Sequence, residues 1–345
     1  MVVLGLETSC DETSAAVITA DGKLQSNVVL SQNDHARYGG VVPELASRAH
    51  IRTVGPVVEQ ALQEAGCCLD QLDAIAVTHG PGLVGSLLVG VNIAKGLAYS
   101  RDLALIGVHH LEGHLYSAGI ESHLPPPFVS LLVSGGHTEL IHVRAHGSYQ
   151  HLGRTLDDAA GEAFDKVARL LDLLPPDQMV AGGRAVSDAA EAGDPQAVKF
   201  PRPLPLKQGL DFSFSGLKTA VRTELIRLGG PGSEGVKART ADIAASFQQA
   251  VIDVLVRRAC DAVESTGTER LSLVGGVAAN RLLRESLRDA MAKIGVEFFT
   301  PSSILCTDNA AMIAAAGRHR LLAGERSGWD LDAHPRLALP GLPHE

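Results

Sequence analysis

Two stretches of this chain repeat one pattern, and the repeat restricts the fold more than any other feature. Val2 to Ile18 reads VVLGLETSCDETSAAVI, and Phe128 to Val143 reads FVSLLVSGGHTELIHV. Each is an apolar strand, a polar turn and a second apolar strand, with a third strand after it. The first meander continues through an Asp21-Gly22 hairpin turn into a strand near 24–30. A helix from Pro43 to about Ala65, a strand at 74–78, a helix to about Tyr99 and a strand at 103–108 come next. After the second meander the pattern gives helices at 157–171, 184–192 and 215–228, strands at 271–274 and 296–299, and a last helix at 307–323. Meanders followed by alternating helix and strand predict α/β domains with partly parallel sheets, facing each other across a cleft.

The 345 residues suffice for two cores. The expected domains are 1–124 and 125–319, hinged at the LPPP stretch 124–127. A helical insertion is expected at about 173–235, and the tail 320–345 is expected to pack back on the first domain. A net charge of −9 excludes a generally basic nucleic-acid binder while leaving room for a local basic groove. Lys166, Arg169, Arg281, Arg284 and Arg288 offer such local charge, although a solvated helix face accounts for them too. Five cysteines, two of them adjacent, argue against a disulfide framework. The N-terminus reads as a strand and not as a signal peptide, and no run of about 18 apolar residues occurs. A cytoplasmic protein with no membrane contact is the expectation.

Three glycine-rich turns invite a phosphate. Gly80 to Ser86 has P-loop spacing but lacks the lysine, and it matches G-x-G-x-x-G with Asp102 about twenty residues on. A dinucleotide site belongs on the first strand of its unit, so tight packing is the preferred role. Ser134-Gly135-Gly136-His137-Thr138 joins two strands and can bring backbone amides to a phosphate. Gly275-Gly276 precedes Asn280 at a helix start suited to an anion.

HHLEGH, His109 to His114, places His110 and His114 four apart, on one face of a helix. Chance alone supplies roughly half of one such pair in a chain with 14 histidines. Asp308 either caps the last helix or completes a His–His–Asp set, which suits iron or zinc. Asp11 and Glu12, in the first turn, are candidate bases or simple turn residues. Asp157 and Asp158 are expected to cap a helix.

GLETSCDETSAAV, GGVVPELASRAH, GPGLVGSLLVG, HHLEGH, LLVSGGHTEL, DDAAGEAFDKVARLL, DFSFSGLKTAV, GGVAANRLLR and CTDNAAMIAAAG stand in one order. Together, from about Val2 to Gly317, they resemble the tRNA threonylcarbamoyladenosine synthase family, once labelled glycoproteases. The resemblance implies two related actin-like, sugar-kinase-like (ribonuclease H-like) domains facing a nucleotide cleft. It implies transfer of a threonylcarbamoyl group from threonylcarbamoyl-AMP to N6 of the adenosine just 3′ of the anticodon. The tRNAs are those reading codons that begin with A.

By the same resemblance, His110, His114 and Asp308 bind one divalent metal per subunit, Fe2+ ahead of Zn2+. Leu132, Val133, Ser134, Gly135, Gly136, Asp165, Gly183 and Asn280 bind the adenylate, with ATP or ADP as other occupants. Asp11 or Glu12 removes the proton from the attacking amine. Implied partners are tRNA, a TsaB-like paralogue, a TsaE-like ATPase and a TsaC-type synthase that supplies the adenylate; a homodimer is also allowed for. One stretch departs from the family pattern. Where its members carry Tyr-Pro-Gly-Gly-Pro, this chain reads LLPPDQMVAGGR over 173–184, which loosens the ribose contact given to Gly183. A metalloprotease and a sugar or acetate kinase are the rivals. The first lacks H-E-x-x-H or H-x-x-E-H, and the second has no need of the histidine pair.

Overall fold

The computed structural model describes every residue except 33, 34, 36, 37, 39, 175–181, 204–208 and 340–345. Two compact units result. Unit 1 holds Met1–Pro125, Ala145–Tyr149 and Pro301–Glu345; unit 2 holds Pro126–Arg144 and Gln150–Thr300.

Unit 1 is built on a five-stranded sheet of order β3-β2-β1-β4-β5. Its strands are β1 (Val2–Glu7), β2 (Glu12–Thr19), β3 (Leu24–Ser31), β4 (Ala74–Gly80) and β5 (Ala104–His109). β1 runs antiparallel to β2 and parallel to β4, which is parallel to β5. Both faces are covered, so the central strands are apolar at nearly every position. Leu4, Leu6 and Val17 face helices α1 (Pro43–Ala65) and α2 (Val84–Arg101). Val3, Ile18, Ala74 and Ala76 face α10 (Ala310–Leu322). Pro43 opens α1, where its missing amide costs nothing, and Gly66 ends it in the left-handed region at φ 65°.

The last helix corrects the expected domain boundary at 319. Residues 301–319 belong to unit 1, because α10 lies directly on its sheet. Gly5 permits the approach: a Cβ there would strike the Ala310 carbonyl and the Ala314 amide. Residues of the tail up to Leu339 also pack within unit 1.

Unit 2 repeats the topology. Its sheet has the order β10-β9-β6-β7-β8, from β6 (Phe128–Val133), β7 (Thr138–Ala145), β8 (Ser148–Arg154), β9 (Arg270–Val274) and β10 (Glu297–Phe299). β6 is antiparallel to β7 and parallel to β9, as β1 is to β2 and β4. Around it lie α4 (Ala160–Leu170), α5 (Gly182–Ala190), α6 (Ser215–Arg227), α7 (Glu234–Lys237), α8 (Thr240–Thr266) and α9 (Arg281–Lys293). Within the expected insertion, 175–181 and 204–208 lie outside the described residues. The longest described helix, α8, is absent from the sequence-based expectations.

The expected cap at Asp157-Asp158 is not formed. α4 begins at Ala160, whose amide donates to the Thr138 hydroxyl at 2.8 Å. Asp157 instead accepts from the Ser213 and Ser215 hydroxyls and the Phe214 amide, tying α6 to this corner. Burial pushes its carboxyl up, but these donors outweigh burial and hold it below the usual range. Asp158 pairs with Lys166 at 2.7 Å.

Candidate metal and nucleotide sites

In unit 1, β5 runs straight into α3 (His110–Ser117). His109 caps that helix, its Nδ1 accepting the Leu111 amide at 3.1 Å. One turn separates His110 and His114, whose rings stand nearly perpendicular with centroids 4.9 Å apart. Asp308 comes from the other end of the chain, just before α10. Its Oδ1 lies 3.4 Å from His110 Nε2 and 3.1 Å from His114 Nε2. One ligand atom from each of the three residues falls within 4.8 Å of the others. These spacings suit donors about 2.0–2.2 Å from a shared ion, and two imidazoles with one carboxylate form a divalent-metal set. Asp308 does not cap the last helix; Asn309 does, its side chain accepting the Met312 amide at 3.2 Å.

A fourth residue, Glu7, completes the surroundings and was not singled out from sequence. It ends β1, is fully buried, and accepts from His110 Nδ1 at 3.0 Å and the Thr78 hydroxyl at 2.7 Å. A carboxylate behind one imidazole nitrogen turns the other toward a metal and raises its basicity. Burial disfavours charge on all three groups, yet their mutual attraction prevails. Burial pulls His110 down, but Asp308 and Glu7 raise it well above the usual histidine value. Burial pushes Asp308 up, but His110 and His114 hold it well below the carboxylate range. Glu7 is lowered against its own burial in the same way. The pocket is thus arranged for positive charge, whether a proton on His110 or a cation.

Asp11 lies in the turn between β1 and β2, and Glu12 opens β2. Burial, then the neighbouring charges of Asp11 and Asp308, raise Glu12 to about 9. His50 holds this turn from beneath, its Nε2 donating to the Cys10 carbonyl at 2.9 Å. Glu112, the acid of HHLEGH, is fully buried and bonded to Tyr149 at 2.7 Å and Arg320 at 2.7 Å. Tied in this way it cannot serve as a peptidase base, which agrees with the missing zincin spacing.

Unit 2 carries the other residue set. Leu132 and Val133 are fully buried in β6, so their side chains belong to the core. In the following turn the Ser134 amide donates to the His137 carbonyl, and the His137 amide to the Ser134 hydroxyl. The Gly135 and Gly136 amides stand outside that bonding, and a Cβ on either glycine would meet nothing within 4 Å. Gly161, at the start of α4, presses against this turn: a Cβ there would collide with the Ser134 carbonyl. Asp165 accepts the Gly182 amide at 2.8 Å, and burial raises its carboxyl. Gly182 has no room for a side chain against Asp165, whereas Gly183 is open. Gly182 thus sits directly against Asp165. Asn280 caps α9 at the Leu283 amide and donates to Gln248 on α8 at 2.7 Å.

The rival phosphate turn is a packing device. Gly82 and Gly80 are closed in by Ser9 and by the His334 carbonyl, and Asp102 ends α2 in the left-handed region, far along the helix from the turn. Of the local basic residues, Lys166 pairs with Asp158 and Glu162, Arg281 with Glu285, and Arg288 lies over Phe298.

Comparison with known proteins decides the family. The family model described as TsaD, tRNA N6-adenosine threonylcarbamoyltransferase, matches residues 23–315. The chain belongs to this family. A tRNA N6-adenosine threonylcarbamoyltransferase of Geobacter sp. (strain M21) is 54% identical over 343 residues, covering 99% of this chain and 98% of the relative. One from Magnetococcus marinus is 53% identical over 356 residues, with coverages of 99% and 98%. Among solved structures, HypF of T. kodakarensis aligns with a TM-score of 0.64 at 15% identity, over 94% of this chain and 48% of that one. An activator of 2-hydroxyisocaproyl-CoA dehydratase from Clostridium difficile, solved with bound ADPNP, aligns with a TM-score of 0.53 at 13% identity, over 94% and 97%. These establish the actin-like, sugar-kinase-like fold. Among the described residues no helix is long and apolar enough to cross a membrane.

Proposed function

We propose that this chain transfers the threonylcarbamoyl group of threonylcarbamoyl-AMP to N6 of the adenosine 3′ of the anticodon, releasing AMP. The tRNAs are those that read codons beginning with A. The observation that carries the proposal is the meeting of His110 and His114 with Asp308, 194 residues beyond His114, in a member of this family.

The amine nitrogen attacks the carbamoyl carbon, the bond from that carbon to the phosphate oxygen breaks, and the amine loses a proton. An exocyclic adenine amine is a poor nucleophile, so orientation and stabilisation of charge on oxygen matter most. The Gly135 and Gly136 amides hold the phosphate, which becomes the leaving group. Asp165 and Gly183 face the ribose, and Asn280, steadied by Gln248, faces the base. ATP or ADP would use the same donors.

In the metal-free protein burial, then Asp11 and Asp308, raise Glu12 to about 9, which favours its protonated form. The acceptor role therefore falls to Asp11, with Glu12 as a hydrogen-bond donor beside it. His110, His114 and Asp308 would hold Fe2+, or Zn2+ in its place. When bound there, the ion supplies a Lewis acid for the carbonyl oxygen or a template for the threonyl group.

Most of the basic residues named above are engaged within the chain, which favours a tRNA footprint shared with other subunits. A TsaB-like paralogue and a TsaE-like ATPase are the proposed partners, and a TsaC-type enzyme the source of adenylate. Purified chain incubated with threonylcarbamoyl-AMP and unmodified tRNA, with and without chelator and partners, tests the proposal by nucleoside mass spectrometry. Modified adenosine that disappears with chelator supports it. No modified adenosine in metal-loaded, partner-complete reactions overturns it.

A further inference from the structure

The segment from Ser327 to Leu337 has no helix or strand, lies beyond the family match that ends at 315, and yet is bonded to the framework of the metal triad. Along β5 the Ser327 amide donates to the Leu105 carbonyl at 2.8 Å, and its hydroxyl oxygen accepts the Gly107 amide at 2.9 Å. Trp329 packs edge-on against Tyr99 at 5.5 Å, and Leu331 rests on the core beneath α2. The His334 amide donates to the His79 carbonyl at 2.7 Å, and the Pro335 carbonyl accepts the Gly82 amide at 3.2 Å. Finally, the Leu337 carbonyl lies 3.0 Å from His109 Nε2.

Two routes lead from this strap to the ligands. The first passes through His109. Its Nδ1 accepts the Leu111 amide, so its proton is on Nε2, and the Leu337 carbonyl receives that proton's hydrogen bond. The ring that starts α3 is thereby fixed at both nitrogens, one residue before His110. The second passes through the Gly80–Gly82 turn. Pro335 and His334 brace it on one side. On the other it presses on Ser9, with the Leu83 amide donating to the Ser9 carbonyl at 2.8 Å. The Ser9 amide donates to Glu7 at 2.5 Å, and its hydroxyl lies 3.3 Å from His110 Nδ1.

We propose that the 327–337 strap is a positioning element of the metal site, holding the start of α3 and the Ser9 turn so that His110 and His114 stay aimed at Asp308. The proposal rests on the metal reading above. Outer partners that orient ligating histidines typically contribute 10–100-fold in metal affinity, and the strap acts one step beyond such a partner.

Zn2+ affinity by competition titration and the visible spectrum of the Co2+-loaded protein test it, in four chains: unaltered, ended at Glu325, His109→Asn, and His110→Ala. Asparagine keeps a helix-capping acceptor but cannot reach Leu337, so this variant decides the matter if the shortened chain does not fold. The expected result is an affinity about 10-fold weaker in the shortened and His109→Asn chains, with a shifted Co2+ spectrum and a metal-free melting temperature near normal for His109→Asn. Unaltered affinity and spectrum in both, with binding lost in His110→Ala, would overturn the strap and leave the metal site standing. Equal, weak binding by the unaltered and His110→Ala chains would remove the metal site, and the strap's role with it.

Discussion

In unit 1 the turn after the first strand follows a buried Glu7 and carries Ser9 and Asp11, with Glu12 opening the next strand; in unit 2 the same point of the same topology is Ser134-Gly135-Gly136-His137. Glu7 and Val133 even hold the same register, each in the last pair of its hairpin, opposite Ser14 and Thr138. The buried glutamate has to find a cationic partner, and His110 provides it. The valine needs none, and the turn beyond it presents amides to solvent. One duplicated framework thus collects positive charge at one turn and is open to negative charge at the other.

The largest way to break this contrast is Asp308→Ala. It removes the one anionic ligand and leaves His110 facing Glu7 alone. Single-turnover transfer should fall about 1,000-fold, the several kcal/mol expected of a lost Lewis acid, and metal content by plasma emission should fall with it. Retained metal with lost transfer would separate the carboxylate from the ion. Glu7→Gln is gentler, because every ligand remains. Metal affinity should weaken 10–100-fold, and a value within twofold of normal would show that Glu7 is only structural. In unit 2 the test is a pair of glycines. Gly136→Ala has room, so stability should change by less than about 0.5 kcal/mol while adenylate affinity drops about 10-fold. Gly161→Ala drives a methyl group into the Ser134 carbonyl and should destabilise by about 1–3 kcal/mol. Denaturant unfolding beside isothermal titration distinguishes them. Equal effects on affinity and stability in both would mean that the turn is scaffold alone.

How much of this was legible in the sequence depends on how local each cause is. The strands and the duplicated meander were legible because an apolar run broken by Gly, Asp or Ser is a local signal. The His110–His114 pair was legible for the same reason, being one helical turn. For Asp308 the residues leave a helix cap and a third ligand both open, and only the resemblance favours the ligand, since nothing near it in sequence tells of a histidine 194 residues earlier. Glu7 is not legible as a site residue, because a glutamate at a strand end reads as the start of a turn. The placement of α10 failed on chain order: it follows the second repeat yet lies on the first sheet, where Gly5 leaves space. α8 lacked a clean apolar stripe, with Arg257 and a fully buried Arg258 in its second half. Asp157 looked like a cap because aspartate before a helix often is one. Its true partners are 56–58 residues away.

The last test concerns the acidic turn itself. Glu12 is raised from the usual carboxylate value to about 9, by burial first and then by Asp11 and Asp308. A folded-state value above the unfolded one means that the fold holds this proton more tightly than the unfolded chain does. The stability so contributed is complete below about pH 4.5 and is lost as pH rises through about 9. In metal-free protein, Glu12→Gln should therefore flatten the decline in unfolding free energy between pH 6 and 9, by at most about 1.4 kcal/mol per pH unit. Urea unfolding of both chains across that range measures the difference. Parallel profiles would mean that Glu12 ionises freely and can share the proton-acceptor role with Asp11. Adding Zn2+ sharpens the comparison. A divalent cation beside Asp308 relieves the crowding of negative charge that keeps Glu12 protonated, so the two profiles should draw together when metal is bound. A Gly136→Ala chain keeps Glu12 and the triad, so the same addition should move its profile as it moves that of the unaltered chain.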